Sequence, residues 1–450
     1  MAGVTESDLD RFEGHLESWE CNNLWIIFHD YSARSCAKWI PGPSIRAAVR
    51  RGGVFARANL NFTIDDHQVP APRFGADSGD FFAVPDPESL APVPYHPGTA
   101  RVHSWMRTEE GEPWDGCPRT RLTGQLERLA EHGLSARVAF EPEFSLYRRG
   151  PDGSLEPADH RAMYTVDRID DQFALLTRIE NALAEQNVEV IQIGSEYGAG
   201  QLEINIAHQT PVKAGDDLLV LRDTVRALAH EAGLIATFMP KIHAAAAGNG
   251  LHIHLSLWDA EGEEDRSTGD AALGLSTEMS HFIGGVLAHA PAICGVAAPT
   301  VNSYKRLQPA SWAPAHIAYG VGNRSALVRV PGATRRRMEF RSGDSTSNPH
   351  LLLTALIGAG IDGLERELDP GEPAGEDLGH APVAELAAEG IRFLPRTAQE
   401  ALDAIEADET VMEALGPVCG PELLRVKRYE LARYDVEVSD WERDVYLERV

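Results

Sequence analysis

The sequence predicts an α+β protein of two parts: a small, mostly β unit over residues 1–110 and a larger unit over residues 111–450. Three observations carry this reading. The first part is punctuated by turn formers, from Pro41-Gly42-Pro43 to the run Pro92–Gly98, and no periodic helix dominates it. Beyond Pro118, strand-like runs are separated by long segments of helical periodicity. Those strands alternate polar and apolar residues, which makes a mostly antiparallel sheet with one polar face.

Taken in order, a short helical start precedes strands at Asn23–Phe28 and Phe81–Val84, and the stretch Glu109–Cys117 marks a break. Thr120–His132 reads as a helix through Leu122, Leu126 and Leu129 and stops at Gly133, a fitting residue just past a helix end. A strand follows at Ala136–Tyr147. The helix Asp171–Gln186 leads to a strand at Val188–Ile193, and the helix Asp216–Ala232 to one near Leu251–Leu257. Further helices are expected at Ser276–Ala290, Pro349–Leu368, Thr397–Asp408 and Pro421–Tyr434, with no internal repeat.

With 450 residues, 43% of them hydrophobic and 24% charged, the chain has the make-up of a soluble globular protein with a large core. Glu6, Asp8, Asp10, Glu13, Glu17 and Glu20 leave no apolar leader, and no apolar run approaches the ~20 residues that span a bilayer. Cys21, Cys36, Cys117, Cys294 and Cys419 are scattered without C-x-x-C spacing, so neither a disulfide framework nor a zinc cluster is indicated. A cytoplasmic protein without a membrane partner is expected. The net charge of −27 argues against nucleic acid and is compatible with attraction of cationic ligands.

Within this acidic chain, Asn323–Pro349 concentrates Arg324, Arg329, Arg335, Arg336, Arg337 and Arg341 against only Glu339 and Asp344. Guanidinium groups clustered in this way suit phosphate or carboxylate. In the strand-like Arg337–Arg341 the alternation puts Arg337, Glu339 and Arg341 on one face. A carboxylate between arginines can be a plain ion-pair ladder. What argues otherwise is the company this strand keeps. Glu141 and Glu143 share a face, as do Glu203 and Asn205, with Glu196 shortly before them; His252, His254 and Ser256 share another. Carboxylates facing one cavity need cations, and oxygen donors with one or two imidazoles suit Mg²⁺ or Mn²⁺. Divalent cations beside arginines fit phosphoryl transfer. No P-loop or dinucleotide fingerprint is present.

FEPEFSLY, SEYGAGQLEIN, GNGLHIHLSL, NSYKRL, NRSALVRVP, RRRMEFR and NPHLLLTALIGAGIDGL, in this order, resemble the glutamine synthetase family over about residues 110–450. The resemblance implies a β-grasp N-terminal domain, a catalytic domain with a curved sheet, and a homo-oligomer of stacked hexameric rings with sites between subunits. It implies that ATP phosphorylates the side-chain carboxylate of L-glutamate and that an amine then attacks. Two Mg²⁺ or Mn²⁺ ions would be held by Glu143, Glu196 and Glu203, and by Glu141, His252 and Glu339. Arg306, Arg341 and Gly248 would bind glutamate, and Arg324 the transferring phosphoryl group. Tyr164, His254, Ser256, Arg329 and Arg337 would contact ATP.

Two departures bear on the acceptor. Where ammonia-using members carry a flap glutamate, the run NSYKRLQPASWAP places Trp312. Where they carry an N-terminal loop aspartate, Phe55–Phe62 has none. Ala247 also replaces the asparagine of the glutamate loop. The expectation is a γ-glutamylamide synthetase whose amine is a polyamine, ethanolamine or a small monoamine, with Trp312 at the amine site. The charge balance tilts toward a diamine or polyamine, and glutamine synthesis or a non-catalytic scaffold are the alternatives.

Overall fold

The computed structural model describes residues 5–332 and 335–450, so Ala333 and Thr334 of the arginine-rich stretch lie outside the described residues. The N-terminal sheet comprises β1 (Asn23–His29), β2 (Ser35–Pro41), β3 (Gly53–Ala56), β4 (Asp80–Pro85), β5 (Ala91–Pro92) and β6 (Thr99–Arg107), ordered β2-β1-β6-β4-β3 with β5 beside β6. Its central β1–β6 pair is parallel and its flanking pairs antiparallel, the arrangement of a β-grasp unit. Helices α1 (Glu6–Ser18) and α2 (Ile45–Arg51) belong to the same unit. Thr5 and Asp8 form a reciprocal capping box that starts α1.

The larger sheet contains β7 (Leu134–Arg149), β8 (Leu155–Pro157), β9 (Val190–Ser195), β10 (Gln201–Ile206), β11 (Ile235–Thr237), β12 (Leu251–Asp259), β13 (His316–Val321), β14 (Ala326–Val330) and β15 (Met338–Phe340). Its order is β13-β14-β15-β12-β7-β10-β9, and only the β13–β14 pairing is parallel. The remaining helices are α3 (Pro118–Glu131), α4 (Val166–Glu185), α5 (Pro211–Glu231), α6 (Thr277–Ala288), α7 (Ala290–Ala297), α8 (Pro349–Glu365), α9 (Val383–Ala388), α10 (Ala398–Ala407), α11 (Glu409–Tyr434) and α12 (Asp440–Tyr446). Among the described residues no single helix is long and apolar enough to cross a membrane.

Several boundaries differ from the sequence expectation for identifiable reasons. The helix expected over Ser276–Ala290 ends at Ala288 and turns by 76° into α7, because Pro291 can sit in the first turn of a new helix but not inside the old one. The helix expected from Pro421 begins at Glu409 and passes through a break at Gly416 (φ 79°), after which Pro417 opens the second segment. α4 and α5 start five residues earlier than periodicity indicated, at Val166 and Pro211. The strand expected over Arg337–Arg341 is only Met338–Phe340, so Arg341 lies just past its end.

The two sheets are tied through the C-terminal helices rather than left as separate bodies. Asn61 Nδ2 donates to Glu422 Oε2 at 2.6 Å, with Asn61 and Glu422 both fully buried. The N-cap residue of α8, Asn348, donates to the Asp30 carbonyl at 2.7 Å, and Lys427 Nζ donates to Ser32 Oγ at 2.9 Å.

His289 sits at the bend between α6 and α7, its Nδ1 2.8 Å from Asp408 of the α10–α11 junction and its Nε2 2.9 Å from Asp362 of α8. Burial alone would lower its pKa, but the hydrogen bonds that the imidazolium donates to both carboxylates outweigh it and raise the pKa above the ordinary histidine value. A raised folded-state pKa contributes stability that is full below the unfolded value near 6.5 and is lost as pH rises through the folded value. The melting-temperature advantage of the native protein over His289→Gln should therefore be largest near pH 6 and shrink by pH 9. An advantage that grew over that interval would contradict the imidazolium clamp.

Candidate active site

Register in the large sheet assembles the site. Glu143 pairs with Glu203 across β7–β10, and Glu141 with His252 across β7–β12. His254 pairs with Glu339 across β12–β15, and Glu339 with Arg329 across β15–β14. Directly opposed residues on one face come within reach of one another. The other face of the same strands carries Phe140, Phe144, Leu202, Ile204, Leu251, Ile253, Leu255, Met338 and Phe340, each 0% exposed. The two-residue period of the strands thus separates a rigid apolar backing from a polar floor.

Two compact donor groups form on that floor: Glu141, Glu203 and His252, and Glu141, His254 and Glu339, each with ligand atoms within 4.8 Å of one another. Their membership differs from the triplets implied by the family resemblance. Glu141 is central to both, and His254, implied as a nucleotide contact, lies with Nε2 2.9 Å from Glu141 Oε1. Glu143 Oε2 accepts the Gly250 amide at 2.8 Å and Gln201 Nε2 at 3.1 Å. Glu196 follows β9 in a loop, where its Oε2 accepts the Tyr164 hydroxyl at 2.9 Å. Ser256 lies further along β12 and accepts from Trp258 Nε1 at 2.9 Å.

Electrostatics sort these carboxylates. Burial pushes Glu203 up to about 8, and the charges of Glu141, Glu143 and Glu196 add to the effect. Burial and Glu143 also raise Glu196, against the opposing Tyr164 hydrogen bond. For Glu141, burial is outweighed by hydrogen bonds from His252 and His254, which hold it well below the usual carboxylate range. Glu339 is 0% exposed and likewise lowered, with burial outweighed by His252, Arg341, His254 and Arg329. A site that raises one of its own carboxylates by mutual repulsion fits a divalent cation, and the oxygen-rich donor set with imidazoles fits Mg²⁺ or Mn²⁺.

The arginines divide into four groups. Arg329 and Arg341 both pair with Glu339, so the ion-pair ladder exists in part. Arg341 also donates to the carbonyls of Arg324 (3.2 Å) and Trp312 (3.3 Å), pinning the segment that carries Trp312. Arg337 leaves the ladder and donates to His254 Nδ1 at 2.9 Å. Arg324 is exposed beside Tyr164 and Glu196, and its charge works against the rise in the pKa of each. Arg336 turns away to the Pro331 carbonyl, and Arg335 is exposed.

Arg306 is 5% exposed, with NH2 on the carbonyls of Arg341 (3.4 Å), Ser342 (2.9 Å) and Gly343. Its NH1 turns toward Gly250. A Cβ on Gly250 would stand 3.2 Å from Arg306 NH1, 3.4 Å from His252 Nε2 and 3.5 Å from Glu143 Oε1. A Cβ on Gly248 would collide with Arg306 Cγ (2.6 Å) and the Pro240 carbonyl (2.7 Å). Glycine at both positions lets the loop close over the arginine.

Trp312 is 77% exposed with φ 61°, and its backbone rather than its ring touches Arg341. The sequence reading missed Gln201, a buried amide in contact with Glu143. Its alternation with Glu203 and Asn205 along β10 was the available signal.

The sequence matches the family described as glutamine synthetase, catalytic domain, over residues 115–446. It is 40% identical over 434 residues to a glutamate–methylamine ligase of Methyloversatilis universalis, covering 94% of this chain and 95% of that one. It is 38% identical over 373 residues to a glutamine synthetase of Halobacterium salinarum, covering 81% and 82%. Among solved structures, a GmaS–ADP complex superposes with a TM-score of 0.87 at 32% identity, covering 97% of this chain and 99% of that one. The family match over residues 115–446, together with these identities across most of the chain, leaves one conclusion: this protein belongs to the glutamine synthetase family.

Proposed function

We propose that the chain joins the side-chain carboxylate of L-glutamate to a small primary alkylamine of methylamine's class, with ATP converted to ADP and phosphate. The observation that carries the reading is the 40% identity to a glutamate–methylamine ligase across 94% of this chain. The comparable identity to a glutamine synthetase makes ammonia the second reading, on the same glutamate–amine ligase chemistry.

In this reading Glu141, Glu143, Glu196, Glu203, His252 and Glu339 hold divalent cations, with His254 close enough to join them. Bound there, the ions neutralise phosphate oxygens and the mutual repulsion of the carboxylates. Arg306 receives a carboxylate of glutamate on the NH1 that faces Gly250. Arg341, fixed by Glu339 and two carbonyls, orients the reacting end. Arg324, exposed beside Glu196, follows the phosphoryl group as charge develops on it. Assembly into rings accords with a site open on the side of Trp312 and Tyr164.

The exposure of Trp312 changes the balance of acceptor arguments. Within one subunit the Trp312 indole is exposed, so this chain alone does not supply an apolar wall there for the methylenes of putrescine or spermidine. Burying one methyl contributes about 0.8 kcal/mol, roughly fourfold in affinity. Any larger preference over ammonium must come from the missing flap and loop carboxylates, because a small, strongly hydrated cation has no substitute for them. In competition assays with product masses read directly, methylamine should outcompete ammonium by more than that fourfold. Trp312→Glu should narrow the gap. Glutamine as the favoured product, or putrescine or ethanolamine exceeding methylamine, would overturn the assignment.

A second test separates the arginines. Arg324→Lys keeps the charge but loses the planar fork, and turnover should fall roughly a hundredfold or more while the KM for glutamate moves by less than about threefold. A proportionate rise in KM would place Arg324 in glutamate binding instead.

A further inference from the structure

The buried amide of Gln201 touches three separate parts of the site. It is 3% exposed at the start of β10. Its Oε1 accepts the Gly198 amide at 2.8 Å, which fixes which end of the side chain carries the hydrogens. Its Nε2 then lies 2.9 Å from the Gly248 carbonyl, 3.1 Å from Glu143 Oε2 and 3.2 Å from Asn249 Oδ1. Two hydrogens serve three acceptors, so a shift of any one acceptor redistributes the bonds to the others.

Each contact leads to a different function. Gly198 lies in the loop that begins with Glu196, and Arg168, itself 0% exposed, braces that loop through the carbonyls of Glu196 (2.6 Å) and Gly198. Gly248 packs against Arg306. Glu143 Oε2 is held from two sides, by Gln201 and by the Gly250 amide, which leaves Oε1 facing Arg306 NH1 and His252 Nε2 around Gly250. The amide therefore decides which Glu143 oxygen points into the site, and it does so while bonded to the loop beside the glutamate-binding arginine.

We propose that Gln201 is a positioning residue that couples glutamate occupancy to cation binding: glutamate seated against Arg306 and Gly248 sets the Gln201 amide, which sets Glu143 and the Glu196 loop. The proposal rests on the reading of Glu143 and Glu196 as cation ligands and of Arg306 and Gly248 as glutamate contacts, and it is independent of which amine is used. Coupling of this kind is reciprocal, so it can be read on either ligand.

The test is Mn²⁺ binding to the purified full-length protein, followed by electron paramagnetic resonance with and without L-glutamate, in the absence of ATP and amine. In the native protein glutamate should raise Mn²⁺ affinity at least about fivefold, the low end of usual coupling. Gln201→Met keeps the length and removes both polar ends, and the glutamate effect should fall to within about twofold of none. Gln201→Glu keeps the acceptor for Gly198 but turns the donor end into an oxygen, and should lose the effect while retaining the loop. Should the methionine variant fail to fold, the glutamate variant alone decides. Full coupling in the variants with a native-like melting temperature would overturn the role of Gln201. Mn²⁺ and glutamate binding without mutual effect in the native protein would overturn the coupling, whereas failure of the native protein to bind Mn²⁺ or glutamate would overturn the reading of the site on which it rests.

Discussion

Like-charge repulsion on the polar face of one sheet is the constraint around which this protein is organised. Glu141, Glu143, Glu196 and Glu203 converge there, and their mutual effect together with burial lifts Glu203 to about 8. Left uncompensated, such a cluster opposes folding. Compensation already present in the chain is uneven. Glu141 and Glu339 lean on His252, His254, Arg329 and Arg341, whereas Glu203 forms no ion pair among the described residues and Glu196 has only the exposed Arg324 nearby. The carboxylates on the β10 and β9 side are therefore the ones least neutralised by protein, and the side toward β14 and β15 is the one more fully neutralised.

That asymmetry gives the site a direction. Arginines gather at one edge, around Glu339, and acidic groups at the other, around Glu196. A phosphate group between them would meet guanidinium on one flank and a cation held by carboxylate on the other, which is the arrangement phosphoryl transfer uses. Stiffness comes from the opposite face, where Phe140, Phe144, Ile253 and Phe340 are fully buried and cannot yield without opening the core. The N-terminal unit adds its own constraint through Asn61–Glu422 and Asn348–Asp30, so the small sheet is fastened to the helices behind the large one.

Much of this was legible in the sequence because it depends on short-range alternation. Glu141 and Glu143, or His252 and His254, fall on one face wherever a strand forms, and the apolar residues between them oblige that strand to form against a core. Helix interiors were readable for the same reason. What stayed hidden depends on contacts distant in sequence. The bend at His289 needs Asp362 and Asp408, and the full reach of α11 needs the break at Gly416 to be tolerated by Arg121, which packs over it. The grouping of donors was hidden too, because it follows from strand order. That His254 meets Glu141, or that Gln201 meets Glu143 and Gly248, cannot be read before β12, β7 and β10 are known to be neighbours.

Composition says little about which amine is the acceptor. A net charge of −27 favours cationic ligands in general, but long-range attraction concentrates methylammonium, ammonium and polyamines alike and discriminates weakly among amines. Discrimination needs contact, and the side chain expected to supply it, Trp312, presents its ring to solvent and its carbonyl to Arg341. Under the proposed reading, what would set methylamine above ammonium is the absence from the flap run and from Phe55–Phe62 of the carboxylates that ammonia-using members carry there.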